Sequence, residues 1–87
     1  MERFEVVLTN AHGLHARPAG MLVQTSGKFK SEINILKGEI KANAKSLLSM
    51  MKLAASKGDQ LTVEINGEDA DDAAKALKAL FDSSFGE

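Results

Sequence analysis

A histidine, then an arginine and a proline, stand in the run Gly13-Leu14-His15-Ala16-Arg17-Pro18-Ala19, where a turn-rich loop gives way to a helical pattern. A helix start presents unpaired backbone N–H groups and the positive end of the helix dipole. Together these make a site for an anion, phosphate above all. An ordinary imidazole titrates near pH 6.5, so a large share is neutral and nucleophilic around pH 7. Once the ring carries a phosphoryl group, the backbone N–H groups of Ala16 and Arg17 can donate to its oxygens, and the Arg17 guanidinium adds charge-assisted bonds. Pro18 has no N–H to leave unpaired, and its fixed φ suits a first helical turn. Each such interaction contributes about 0.3–2 kcal/mol, which holds the group without trapping it. A phosphoimidazole, whose ring leaves readily once protonated, suits relay rather than storage. The pattern points to a histidine that receives and passes on a phosphoryl group.

Other chemistries fit less well. His12 and His15 form an H-x-x-H pair, but a metal site needs three or four ligands and no further His or acidic partner lies nearby in sequence. A serine hydrolase is disfavoured because no nucleophile elbow occurs. A purely structural helix-capping role for His15 is a poor account, since Ser, Thr, Asp and Asn are the favoured caps. His12 reads as a loop residue that tunes local charge.

The elements that must position this histidine follow from periodicity. Arg3 to Thr9 alternates as a strand, with Phe4, Val6 and Leu8 facing a core. Asn10 to Gly13 is a loop. The spacing predicts a first helix over Ala16 to Ser26, with Ala19, Leu22, Val23 and Ser26 on one face and Gly27 as its stop. Ser31 to Leu36 is a strand around Ile33 and Ile35, joined by a Lys37-Gly38 turn to a short strand, Glu39 to Ala42. A short apolar helix is predicted over Leu47 to Ser56, capped by Ser46 and ended by Lys57-Gly58, with Met50, Leu53 and Ala54 toward the core. Gln60 to Ile65 is the cleanest strand, burying Leu61, Val63 and Ile65. After Asn66-Gly67 a third helix opens on the acidic capping pair Asp69 and Asp72, with an apolar stripe of Ala70, Ala73, Ala74, Leu77, Leu80 and Phe81.

The order β-α-β-β-α-β-α implies a two-layer α+β domain, a mostly antiparallel sheet with its helices on one face. The other face stays wet, because Glu5, Asn34, Thr62 and Glu64 point there. With 87 residues the chain reads as one domain over 1–87, which would bury only about 60–65% of its unfolded surface. With a net charge of −1, nothing argues for wholesale attraction to nucleic acid or an anionic membrane. Cysteine is absent, which excludes disulfides and thiolate metal sites. No apolar run suits a bilayer span, and Met1-Glu2-Arg3-Phe4 lacks a signal peptide's apolar block, so a cytoplasmic monomer is the simplest expectation.

The run from Gly13 to Ala19 resembles the active-site signature of the HPr family, histidine-containing phosphocarriers of the bacterial phosphoenolpyruvate-dependent sugar phosphotransferase system. Asn43-Ala44-Lys45-Ser46-Leu47-Leu48 resembles the family's second signature, and the likeness covers essentially the whole chain. The resemblance implies an open-faced β-sandwich, four antiparallel strands covered by three helices. It implies that His15 takes a phosphoryl group on Nδ1 from phosphorylated enzyme I and delivers it to the EIIA domain of a sugar permease. Arg17 would steady the phosphate and Pro18 would shape the helix start. No independent enzyme activity, cofactor or metal is implied.

Ser46 admits two readings, a structural N-cap and, by resemblance to Gram-positive members, a regulatory phosphorylation site. The latter implies an ATP-dependent HPr kinase/phosphorylase and a catabolite-control transcription factor as partners. The added charge, about −1.5 to −2, would act on docking rather than folding. Ser49 and Lys52-Leu53-Ala54-Ala55 stand where many kinase-regulated members carry glycine, a departure that weakens this implication. Leu47, Leu48 and Met51 exceed what one buried helix face needs and read either as core or as a docking patch ringed by Arg17, Gln24, Lys45 and Lys52. Besides the sugar carrier, a nitrogen-branch paralogue keeps the same histidine signature, and a non-catalytic binding module is a third reading. The regulatory paralogue that lacks the acceptor histidine is excluded by His15.

Overall fold

The computed structural model describes all residues from Met1 to Glu87. The chain runs through β1 (Glu2–Val7), α1 (Ala16–Ser26), β2 (Glu32–Lys37), β3 (Ile40–Asn43), α2 (Leu47–Lys52), β4 (Gln60–Asn66) and α3 (Ala70–Asp82), and ends in a 3-10 turn, Ser84–Gly86. The strands form one antiparallel sheet in the order β1-β4-β2-β3, an open-faced β-sandwich with its helices on one side.

Register follows from strict alternation. Leu61, Val63 and Ile65 of the central β4 are fully buried, flanked by Phe4 and Val6 of β1 and by Ile33 and Ile35 of β2. A one-residue slip would turn all of them to solvent, so the apolar face sets the pairing. Intervening residues carry the polar face, where Arg3 pairs with Glu64 across β1 and β4 at 2.8 Å. Ala19 and Leu22 of α1, Met50 of α2 and Ala73, Leu77 and Phe81 of α3 close the core over the sheet.

Helix α1 occupies the predicted residues, and the four strands lie within a residue or two of their predicted bounds. The hairpin turn falls on Gly38-Glu39, one position later than Lys37-Gly38. Helix α2 is shorter than predicted, ending at Lys52 rather than Ser56. Ala54 adopts a left-handed φ of 52° and is exposed, whereas Ala55 is buried in its place. The competing partners explain this: the Leu53 and Ala54 carbonyls accept from Lys37 Nζ at 3.4 and 2.9 Å, and the Ala55 carbonyl accepts from the Leu14 N–H at 2.9 Å. Tertiary bonds thus take carbonyls beyond the helix end. Lys57-Gly58 belongs to a separate turn in which the Gly58 N–H donates to the Leu8 carbonyl.

The capping pair Asp69–Asp72 is also corrected. Asp69 stands at the N-cap position of α3 but makes no cap bond. Its carboxylate accepts instead from the Lys30 and Ser31 N–H groups, at 2.8 and 2.9 Å, and from the Ser31 hydroxyl. That fastens the turn before β2 to the start of α3. The Ser31 hydroxyl, then the Lys30 amide, hold the carboxyl below its ordinary range against an opposing desolvation.

Candidate functional site

The loop before α1 is built around Gly13. Its φ of +64° suits glycine, and a Cβ there would sit 2.5 Å from the Ala55 carbonyl oxygen. The Gly13 N–H donates to the Asn10 carbonyl at 3.1 Å, and Asn10 Nδ2 donates back to the Gly13 carbonyl. With Leu14 buried and bonded to Ala55, the chain arrives at His15 in one fixed direction.

His15 is the N-cap residue of α1, extended at φ −77° and ψ −174°, and its side chain makes no cap bond. The ring is therefore not in use as a structural cap. Its side chain is 38% exposed. Ala16 and Arg17 follow it with backbone N–H groups that bond to nothing in the protein, while the first helical bond runs from the Ala19 N–H to the His15 carbonyl at 3.0 Å. Pro18, in the first turn, is buried and contributes no unpaired donor.

One side of the imidazole is occupied. His15 Nε2 lies 3.0 Å from Oε2 of Glu87. An ionised carboxylate only accepts hydrogen bonds, so this contact favours, in the neutral ring, the tautomer with its proton on Nε2 and its lone pair on Nδ1. Arg17 Nη1 approaches the same Oε2 at 3.4 Å and donates to the Phe85 carbonyl, also at 3.4 Å. These long bonds restrain a guanidinium that is 60% exposed. Desolvation raises the Glu87 pKa, but the bonds from Asn10 and His15, the His15 charge and Arg17 outweigh it and leave the carboxyl below its ordinary range. His12 is exposed and meets the His15 ring edge-on, with centroids 5.9 Å apart.

Glu87 and Asn10 are the site residues that sequence reading missed. For Asn10 the signal is only general, since Asn in a turn commonly bonds nearby backbone. Glu87 carried none, because 72 residues separate it from His15.

The second predicted cluster lies on α2, which packs beside α1. Ser46 caps α2, its Oγ accepting from the Ser49 N–H at 3.2 Å. Leu47, Leu48 and Met51 are 48%, 65% and 42% exposed, so they are not core. Gln24 and Lys52 are exposed and unpaired, whereas Lys45 Nζ is bonded to the Phe29 carbonyl at 2.7 Å. Of the predicted ring, Lys45 and Arg17 are thus hydrogen-bonded, and Gln24 and Lys52 are not.

On this open-faced sandwich an accessible imidazole lies at the mouth of a helix, beside an arginine and unbonded amides. The family model described as the PTS HPr component phosphorylation site matches residues 2–83, and the chain belongs to this family of phosphotransferase-system phosphocarriers. It is 44% identical over 87 residues to the phosphocarrier protein HPr of Xylella fastidiosa strain 9a5c, covering 100% of this chain and 98% of that protein. The corresponding protein of Mycoplasma capricolum is 40% identical over 78 residues, covering 90% of this chain and 88% of that one. The crystal structure of HPr-C-His from Thermoanaerobacter tengcongensis superposes with a TM-score of 0.96 at 42% identity, over 100% of this chain and 98% of that one. The general role is therefore that of a phosphocarrier of the phosphotransferase system. No helix is long and apolar enough to cross a membrane.

Proposed function

We propose that His15 is the phosphoryl acceptor, taking the group on Nδ1 from phosphorylated enzyme I and passing it to EIIA domains of sugar permeases. The observation that carries this reading is a ring at the start of α1 whose Nε2 faces the Glu87 carboxylate, a contact that favours the tautomer with its lone pair on Nδ1. In the transfer the Nδ1–P bond forms as the donor's bond to phosphorus breaks, and the second transfer reverses this toward EIIA. The unpaired amides of Ala16 and Arg17 and the Arg17 guanidinium are the donors for the phosphoryl oxygens. Leu47, Leu48 and Met51, with Arg17, Gln24, Lys45 and Lys52 around them, form the face that meets acidic partner surfaces.

Incubation with phosphoenolpyruvate and enzyme I tests the reading. The expected result is an acid-labile label on the protein that is lost in His15→Ala without loss of the folded spectrum; a label retained in that variant overturns it. Running the assay with the sugar-branch and nitrogen-branch enzymes I separately assigns the branch by which one labels the protein. Ser46 belongs to the same proposal as a modification site for an HPr kinase/phosphorylase, whose product would bind a catabolite-control transcription factor. Its half-buried hydroxyl already serves Ser49, and no phosphate gained from ATP and kinase leaves it as a cap alone.

A further inference from the structure

Asn10 is 3% exposed and lies five residues before His15 in a loop of otherwise small or exposed side chains. A buried amide needs partners, and Asn10 uses both hydrogens of its Nδ2. One goes to the Gly13 carbonyl and the other, at 3.3 Å, to Oε1 of Glu87. Its Oδ1 is buried with no partner. Flipping the amide would place that oxygen against a carbonyl and a carboxylate, so the two acceptors dictate the orientation seen.

The geometry forms a chain of contacts. The Asn10–Gly13 turn lies against the backbone of Ala55, where a Cβ on Gly13 would collide. Asn10 extends from that turn to one oxygen of the Glu87 carboxylate, and the other oxygen faces His15 Nε2. A glutamate side chain is otherwise free to take many rotamers, and ordering it costs entropy. Fixing Oε1 from a rigid, buried donor leaves Oε2 pointing one way. The Ser84–Gly86 turn, packed through buried Phe85, supplies the other end of the restraint.

We propose that Asn10 is a positioning residue for phosphoryl transfer: it aims the Glu87 carboxylate at Nε2 of His15 and thereby keeps the Nδ1 lone pair available. The inference rests on the assignment of His15 as acceptor, and acts through Glu87 rather than by touching the phosphoryl group. Arg17 shares the same carboxylate oxygen, so a misdirected Glu87 would misplace the guanidinium as well.

The test is made on the full-length, unphosphorylated protein, with the imidazole nitrogens observed by 15N NMR at about pH 8.5, where an ordinary ring is neutral. Asn10→Ser keeps a short donor for the Gly13 carbonyl but cannot reach Glu87. The ratio of Nε2–H to Nδ1–H tautomer is expected to fall about threefold or more, the factor one net hydrogen bond carries. Against a Glu87→Ala background, Asn10→Ser is expected to change the ratio no further. An unchanged ratio in the first case, or an equal fall in both, overturns the proposal. In the unsubstituted protein the Asn10 Nδ2 proton signals are expected to move as Glu87 is titrated with acid; signals that do not move overturn it even where the variants fail to fold. The labelling rate by phosphorylated enzyme I is expected to fall with the tautomer ratio. Because the NMR readout needs no enzyme I, it fails or succeeds independently of whether His15→Ala loses its label.

Discussion

Gly13→Ala is the substitution whose cost can be worked most directly from the structure. Gly13 has a φ of +64°, a region that costs a residue with a side chain about 1–2 kcal/mol. A Cβ would also lie 2.5 Å from the Ala55 carbonyl oxygen and 2.8 Å from Ser56 Cα, both backbone atoms that no rotamer change can move aside. Relieving such a clash means displacing the loop, which costs about 1–3 kcal/mol more and strains the Leu14 N–H bond to the same carbonyl at 2.9 Å. The sum is about 2–5 kcal/mol out of a typical 5–15 for a small domain. Gly38→Ala is the matched control: its φ is +58°, but nothing lies within 4 Å of the added carbon, so only the first contribution applies. Urea unfolding of both variants, with m checked for constancy, is expected to place Gly13→Ala at least about 1 kcal/mol below Gly38→Ala. Equal losses would show that the approach of Gly13 to Ala55 is not a tight contact, and would refute the account of how His15 is delivered to the helix start.

Three further outcomes follow from the same contacts. Asp69 has its carboxyl held below the ordinary range by Ser31 and Lys30, so its contribution is fully present above the unfolded value near pH 4 and is lost as pH falls through the lowered native value; the stability gap between the protein and Asp69→Asn is expected to be constant near neutrality and to close in acid, as read by unfolding across pH. Phe85 is fully buried and meets Phe81 edge-to-face at 5.1 Å between centroids; Phe85→Ala is expected to cost about 3–5 kcal/mol in urea unfolding and to release Glu87 from the His15 ring. Leu47 is 48% exposed, so Leu47→Ala is expected to change stability by no more than about 0.5 kcal/mol while weakening enzyme I binding in calorimetry; unchanged affinity removes Leu47 from the docking face.

What the sequence determined by itself was whatever depends on neighbours along the chain. The alternation of Leu61, Val63 and Ile65, the helical spacing of Ala19, Leu22 and Ser26, and the loop-to-helix step at His15 are all local, and local periodicity and capping chemistry suffice to read them. Only the tertiary structure decided where chain-distant groups compete for the same partners. It ended α2 at Lys52 because Leu14 and Lys37 claim the carbonyls beyond it, and it turned the Asp69 carboxylate away from its own helix to serve Lys30 and Ser31. It placed β4 between β1 and β2. It also brought Glu87 to His15 and Asn10 to Glu87, across separations of 72 and 77 residues. A hydrogen bond across such a distance leaves no period in the sequence, since its geometry exists only after the core has packed and fixed both ends.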